Sequence, residues 1–211
     1  MFTRLARFLL KASIPGWGKD DREIQEKEAE MYELTIPDFS PMLHVRSGMA
    51  GHLLFLFHLT REIRAKEVIE IGLGGANSAI AFLLALKETG GRLTSIEPMP
   101  REDAIARIGD ADLEGCWNLV RGASQDVRHE FSDFPGIDLL FIDGKHSYIQ
   151  CKQDYELYGN LVREGGYILF HDSNTIAGVK KFVGELRKAG VEGIHFPFCN
   201  GVFVARKRGS Q

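Results

Sequence analysis

The chain has 211 residues, 44% of them apolar and 26% charged, the composition of an ordinary globular protein of one domain. Its 23 glycines and 7 prolines are too few for a collagen-like or low-complexity chain. A net charge of −3 and a pI near 6.2 give no global electrostatic reason to bind nucleic acid. The three cysteines (Cys116, Cys151, Cys199) are odd in number and far apart, with no Cys-x-x-Cys spacing, so reduced thiols in the cytoplasm are expected rather than a disulfide framework or a zinc knuckle. No apolar run reaches the roughly 18 residues that a bilayer span requires.

The first residues carry Arg4, Arg7 and Lys11 and no acid before Asp20. They could form an organelle-targeting helix, although no long apolar core or cleavage site follows as secretion would require, and the favoured reading is a basic amphipathic helix that docks on the domain or a partner. Ile14-Pro-Gly-Trp-Gly18 breaks the chain, 20–33 reads as a solvated helix, and Pro37 and Pro41 end it. Residues 1–45 therefore form an expected helical extension, or lid, ahead of a domain spanning 46–211. Within that domain helices alternate with short apolar runs. A helix is expected over 48–64, a strand at Glu67–Ile71, a helix over 76–87 and a strand at 93–96. A short helix over 101–108, a strand at 117–120 and a helix over 124–131 follow. The fourth strand, 138–142, is apolar at four of its five positions, as when both faces are covered. A long helix over 148–162, stopped by Gly165-Gly166, leads to a fifth strand at 167–170. A helix over 176–189 and a closing hairpin end the series. This alternation predicts an α/β fold with a doubly wound, mostly parallel sheet.

In such a sheet ligands sit beyond the carboxyl ends of the strands. After the first strand comes Glu70-Ile-Gly72-Leu-Gly74-Gly-Ala-Asn-Ser78, where glycines allow a sharp turn and close backbone approach. After the second comes Glu97, placed to accept hydrogen bonds from both ribose hydroxyls of an adenosine-containing cofactor. Asn77 stands where the dinucleotide fingerprint has its third glycine, which argues against a nicotinamide cofactor. After the third strand, Gly122 and Ser124 turn the chain into a helix that could edge an adenine or simply carry a serine cap. After the fourth and fifth come Asp143-Gly-Lys-His146 and His171-Asp172. Asp143 and Asp172 should face one crevice, and two carboxylates so close repel unless a proton or cation lies between them. A divalent ion such as Mg²⁺ suits that pair, and His146 or His171 suits a general base. The same residues also permit a plain helix cap at Asp172, a His171 that only supports its neighbours, and an Asp143 that binds the cofactor's amino group without metal. His44, His52, His58, His129 and His195 lack such company and are read as structural or surface residues.

These segments, with Leu161-Val-Arg-Glu-Gly-Gly166, together resemble the class I S-adenosylmethionine-dependent methyltransferases. More narrowly they are similar to the small "IDG-x-HSY … HD" subgroup (methyltransferase family 24-like), related to the catechol and caffeoyl-CoA O-methyltransferases. The resemblance implies a seven-stranded Rossmann-like sheet with one reversed strand. It implies that Glu70, Gly72, Gly74 and Ser78 border the methionine part of the cofactor, that Glu97 holds the ribose and that Ser124 lies by the adenine. Asp143 and Asp172 fall at positions that bind metal in the metal-dependent relatives. Ala123 replaces a frequent adenine-side acid, Lys145 a frequent Asp, and Ser173 an Asn ligand of the catechol-type enzymes, with Asn174 one residue on. The expected activity is methyl transfer from S-adenosylmethionine to a hydroxyl of a small molecule or sugar, with no nucleic-acid or membrane partner and a homodimer left open. A metal-independent methyltransferase, a nicotinamide-dependent oxidoreductase and a non-catalytic S-adenosylmethionine-binding module are the alternatives.

Overall fold

A computed structural model of the chain describes residues 48–209 apart from 133 and 135. The expected extension over 1–45 and His44 lie outside the described residues. The chain opens with a 3₁₀ turn at Ala50–His52 and continues as α1 (Leu53–Glu62), β1 (Glu67–Ile71), α2 (Asn77–Thr89), β2 (Arg92–Glu97) and α3 (Glu102–Asp110). Next come β3 (Trp117–Arg121), α4 (Ser124–Val127), a 3₁₀ turn at Arg128–Phe131 and β4 (Ile137–Ile142). The series ends with α5 (Tyr148–Tyr158), β5 (Val162–His171), α6 (Ala177–Lys188), β6 (Gly193–Phe196) and β7 (Val202–Arg206). The seven strands lie in the order β3-β2-β1-β4-β5-β7-β6. Pairings among the first five are parallel, and β7 runs antiparallel to both β5 and β6, so β7 is the single reversed strand. The order turns back between β1 and β4, which puts the tips of those strands at the switch point where a ligand crevice opens.

The apolar character of β4 follows from its place at the centre of the sheet. Leu139 and Phe141 join the core under α1, α2 and α3, while Leu140 and Ile142 join the core under α4, α5 and α6. Helix α2 stops where Gly90 takes a left-handed conformation and its N–H bonds Leu86 O. Ser147 caps α5 by accepting from Gln150 N.

One expected boundary is corrected. The helix after β4 does not run to Val162 and is not stopped by Gly165-Gly166. It ends at Tyr158, a 3₁₀ turn follows, and both glycines lie inside β5. The pairing of β4 with β5 shifts register between Ile137 and Leu139, and Gly165 has φ +78 within that irregular stretch. The glycines therefore serve a bulge, which a helix-stop reading cannot tell from a cap. Among the described residues no helix is long and apolar enough to cross a membrane.

Candidate active site

The turn after β1 is built by close backbone approach. Gly72 has φ +96, and a Cβ there would stand 2.4 Å from Asp143 O, so only glycine lets the turns after β1 and β4 touch. Glu70 points from β1 into the interior and is fully buried. Its two carboxyl oxygens accept from the Ser78 hydroxyl on α2 and, at 2.8 Å, the Ser95 hydroxyl on β2. Trp117 Nε1 donates to Ser95 Oγ at 3.0 Å and extends the network to β3. Burial pushes the Glu70 carboxyl up to about 8, against the two serine bonds. Glu70 and Ser78 therefore brace the glycine turn from below.

Glu97, at the end of β2, is half-buried and holds the same turn from the side. Its Oε2 accepts from Leu73 N and its Oε1 from Met99 N, each at 3.1 Å. Each carboxylate oxygen keeps a lone pair for a further donor. Arg107 of α3 donates to Gly75 O and, at 2.8 Å, to Asn77 Oδ1. Sequence reading did not single out Arg107, because nothing local marks a helix residue that reaches a distant turn. Gly122 N bonds Glu97 O at 3.2 Å, and Ser124 is buried at the start of α4 with its hydroxyl on Asp154 of α5.

Beyond β4 and β5 the structure brings Asp143, His146, His171 and Asp172 together. His146 Nε2 lies 3.3 Å from Asp143 Oδ1 and 2.8 Å from Asp172 Oδ2. His171 Nδ1 lies 2.9 Å from the same Asp143 Oδ1, and its Nε2 is 3.3 Å from Gly48 O. Both nitrogens of His171 thus face acceptors. His171 and Asp172 are buried, Asp143 is half-buried and the His146 side chain is 44% exposed. The bonds to Asp143 and then Asp172 raise His146 to about 10. Burial lowers His171, but the Asp143 bond and charge outweigh it and the net shift is upward. Burial raises Asp172, yet the His146 bond and the His171 charge leave it below its ordinary value. His146, raised well above neutrality, is held as a cation between Asp143 and Asp172. Asp172 has φ +57, a left-handed conformation that aspartate tolerates better than most residues.

The connection between β6 and β7 supplies a wall that sequence reading took for a plain hairpin link. Asn200 gives Asp172 a side-chain hydrogen bond, and Gly201 has φ +90 with a would-be Cβ only 2.6 Å from Asn174 Cβ. His52, read as structural, is fully buried there. Its ring stacks on Phe198 at 4.8 Å and meets His171 edge-on at 5.9 Å between centroids. His52 Nε2 lies 2.9 Å from Phe198 O and 3.1 Å from Cys199 O, so it carries the proton and Nδ1 is left a buried acceptor with no hydrogen-bond partner. Burial, then the charge of His171, lowers His52 to about 3. His195 Nε2 is 3.1 Å from Ser173 Oγ. His58 and His129 hydrogen-bond near their own helical turns, to Arg61 and Asp126 O, away from this cluster. Asn174 donates its amide to Pro197 O at 2.8 Å. Neither Ser173 nor Asn174 joins the acidic cluster. The third group there is His146, whose ligand atom lies within 4.8 Å of one from each carboxylate.

A sheet with this strand order, one reversed strand and its polar residues gathered at the switch point defines the class I methyltransferase fold. Residues 69–173 match the model of a methyltransferase domain family. Among curated relatives, the O-methyltransferase ankF of Aspergillus thermomutatus is 32% identical over 118 residues, 54% of this chain and 48% of that protein. Protein R132 of Acanthamoeba polyphaga mimivirus is 54% identical over 59 residues, 25% of this chain and 27% of that protein. The chain spans about half the length, or less, of the curated relatives it matches. Among solved structures, the O-methyltransferase TomG of Streptomyces achromogenes, involved in tomaymycin synthesis and bound to S-adenosylmethionine, superposes with a TM-score of 0.63. It is 23% identical, over 90% of this chain and 92% of that one. The O-methyltransferase of Bacillus cereus in complex with S-adenosylhomocysteine gives 0.63 at 19% identity, over 98% of this chain and 100% of that one. Residues 69–173 thus fit a methyltransferase domain, and the chain has the fold of its S-adenosylmethionine-bound structural neighbours.

Proposed function

We propose that the protein transfers the methyl group of S-adenosylmethionine to a hydroxyl of a small molecule or sugar. The observation that carries this reading is the convergence of Asp143, His146, His171 and Asp172 beside the glycine turn at the switch point. Glu70, Gly72, Gly74 and Ser78 would shape the methionine end of the cofactor site. Glu97 would take the ribose, Gly122 and Ser124 the adenine, and Asp143 the cofactor's amino group or the acceptor. The sulfonium is already a good leaving group, so the protein's main task is an in-line approach. The acceptor oxygen bonds the methyl carbon, the carbon–sulfur bond breaks, and sulfur keeps the electron pair as S-adenosylhomocysteine departs. Asp143, half-open to the crevice, accepts the hydroxyl's hydrogen bond and aims its oxygen at the methyl. Asp143 takes the hydroxyl proton while cationic His146 releases the proton on its solvent-facing nitrogen, so the pair passes one proton to water. His171, held between Asp143 and Gly48 O, keeps the Asp143 side chain oriented.

The donor set also fits a divalent ion. Asp143, Asp172 and His146 offer two carboxylates and an imidazole, and buried Asp172 Oδ1 has no hydrogen-bond partner. Such an ion would lower the cost of removing the hydroxyl proton. A metal-independent reaction is the second reading, favoured by the close contacts that His146 and His171 already make with Asp172 and Asp143. Chelation separates the two, because loss of turnover restored by Mg²⁺ supports the ion and unchanged turnover rejects it. The free thiols of Cys116, Cys151 and Cys199 fit a reducing, cytoplasmic setting.

The reading is tested with calorimetry for S-adenosylmethionine and release of S-adenosylhomocysteine against a panel of hydroxylated acceptors. Asp143→Ala should abolish transfer while circular dichroism and melting stay near wild type. A variant that still turns over would sink the proposed site, and binding of NAD without S-adenosylmethionine would sink the reaction class.

A further inference from the structure

His52 is a buried imidazole that the mechanism above does not use. Its Nε2 proton is shared between Phe198 O at 2.9 Å and Cys199 O at 3.1 Å, two carbonyls of the connection between β6 and β7. Burial keeps the ring neutral, so this single proton stays on the nitrogen that faces them. The carbonyls lead into an unusual stretch of backbone. Cys199 has φ +46, Asn200 φ +68 and Gly201 φ +90. A left-handed conformation is unfavourable for cysteine, and such a run persists only where its surroundings hold it. His52 holds it from one side. From the other, Asn200 O accepts from Asn174 N at 2.9 Å and Thr175 N at 3.2 Å. What the run delivers is the Asn200 side chain, which hydrogen-bonds Asp172.

The turn that carries His52 also reaches the other half of the cluster. Gly48 O faces His171 Nε2 at 3.3 Å, and the His52 ring meets the His171 ring edge-on, 5.9 Å between centroids. Two glycines let this turn lie flat on the connection. A Cβ on Gly48 would collide with Asn200 Nδ2, and one on Gly51 would stand 2.5 Å from Cys199 Sγ. Resting on the methyl-transfer reading above, we propose that His52 is a positioning residue for the reaction. Its Nε2 proton locks the left-handed stretch at Cys199 and Asn200, so that one turn, residues 48–52, sets Asn200 against Asp172 and His171 against Asp143.

Two substitutions separate a donor from a space-filler. His52→Phe fills the site and loses the donor, whereas His52→Gln keeps an N–H near the place of Nε2 and loses the ring. On the hydroxylated acceptor of the panel that the wild type methylates fastest, His52→Phe should lower kcat by about tenfold or more and His52→Gln by about threefold at most. Both should bind S-adenosylhomocysteine within about twofold of wild type by calorimetry, since the glycine turn after β1 is untouched. A packing role predicts the reverse order, and that order, or an unchanged kcat in folded His52→Phe, overturns the assignment. Gly51→Ala should push the turn off Cys199 and lower kcat in the same way, and adding Cys199→Ala removes the obstructing sulfur and should restore it. A double variant that folds without recovering overturns the role of the turn. If the His52 variants do not fold, the Gly51 pair decides. Two-bond proton–nitrogen spectra of the imidazoles need no acceptor. At neutral pH they should show His52 protonated on Nε2 alone, and the His171 signals displaced by His52→Phe but not by His52→Gln. The other tautomer, a charged His52 ring, or His171 signals indifferent to both changes overturns the assignment. Failure to bind S-adenosylhomocysteine would overturn the methyl-transfer reading instead, and the spectra would still decide the role of His52.

Discussion

At the scale of single residues, the glycine turn rests on a carboxyl group that burial keeps from ionising. Glu70 titrates near 8 in the folded chain against an ordinary value near 4.5. Between those values the folded state holds more protons than the unfolded state, so this residue's contribution to stability falls as pH rises through that window. Glu70→Gln removes the titration while keeping the shape and a group that can bond Ser78 and Ser95. Thermal melts between about pH 5 and pH 8 should show wild-type stability declining relative to the variant. Parallel profiles would show that Glu70 is ionised in the fold. The sequence places Glu70 at the mouth of the turn, but its serine partners come from α2 and β2 and meet only once the sheet is assembled.

At the scale of elements, the β6–β7 connection does more than reverse the chain. It carries Asn200 onto Asp172 and the carbonyls of Phe198 and Cys199 onto His52. Asn200→Gly suits the observed φ of +68 and deletes only the amide. Loss of a hydrogen bond to a charged group, roughly 1.5–3 kcal/mol, should lower turnover by about tenfold or more while leaving S-adenosylmethionine affinity near wild type. Turnover and affinity measured on one preparation check this, and equal losses in both would indicate a general collapse of the crevice. The sequence made Asp143, His146, His171 and Asp172 legible because each ends an apolar strand or follows one within four residues, and strand tips share one edge of the sheet. Asn200, His52 and Arg107 were not legible. They reach the site from elements far away along the chain, and no local spacing records such a meeting.

At the scale of the whole molecule, alternating strands and helices were enough to read the doubly wound class, because period and length carry that signal directly. Five strands and the antiparallel closing hairpin were also legible in the residues, whereas their joining into one seven-stranded sheet with a single reversed strand came from family resemblance. The two faces of the sheet are packed by separate cores, and Phe170 anchors one of them. It is fully buried, with ring neighbours Tyr155, Phe182 and Phe203 from α5, α6 and β7. Phe170→Ala should cost about 3–5 kcal/mol, read as a lower midpoint in urea unfolding with little change in slope. The order of the strands also has a consequence in time. On a chain made from its N-terminus, β1 to β4 and the glycine turn can pair before residues 193–206 exist, whereas β5 waits for β7 as its outer neighbour. The wall behind His171 and Asp172 is therefore the last part of the described crevice to close, and a half-made chain has the glycine turn before the acidic cluster is walled in.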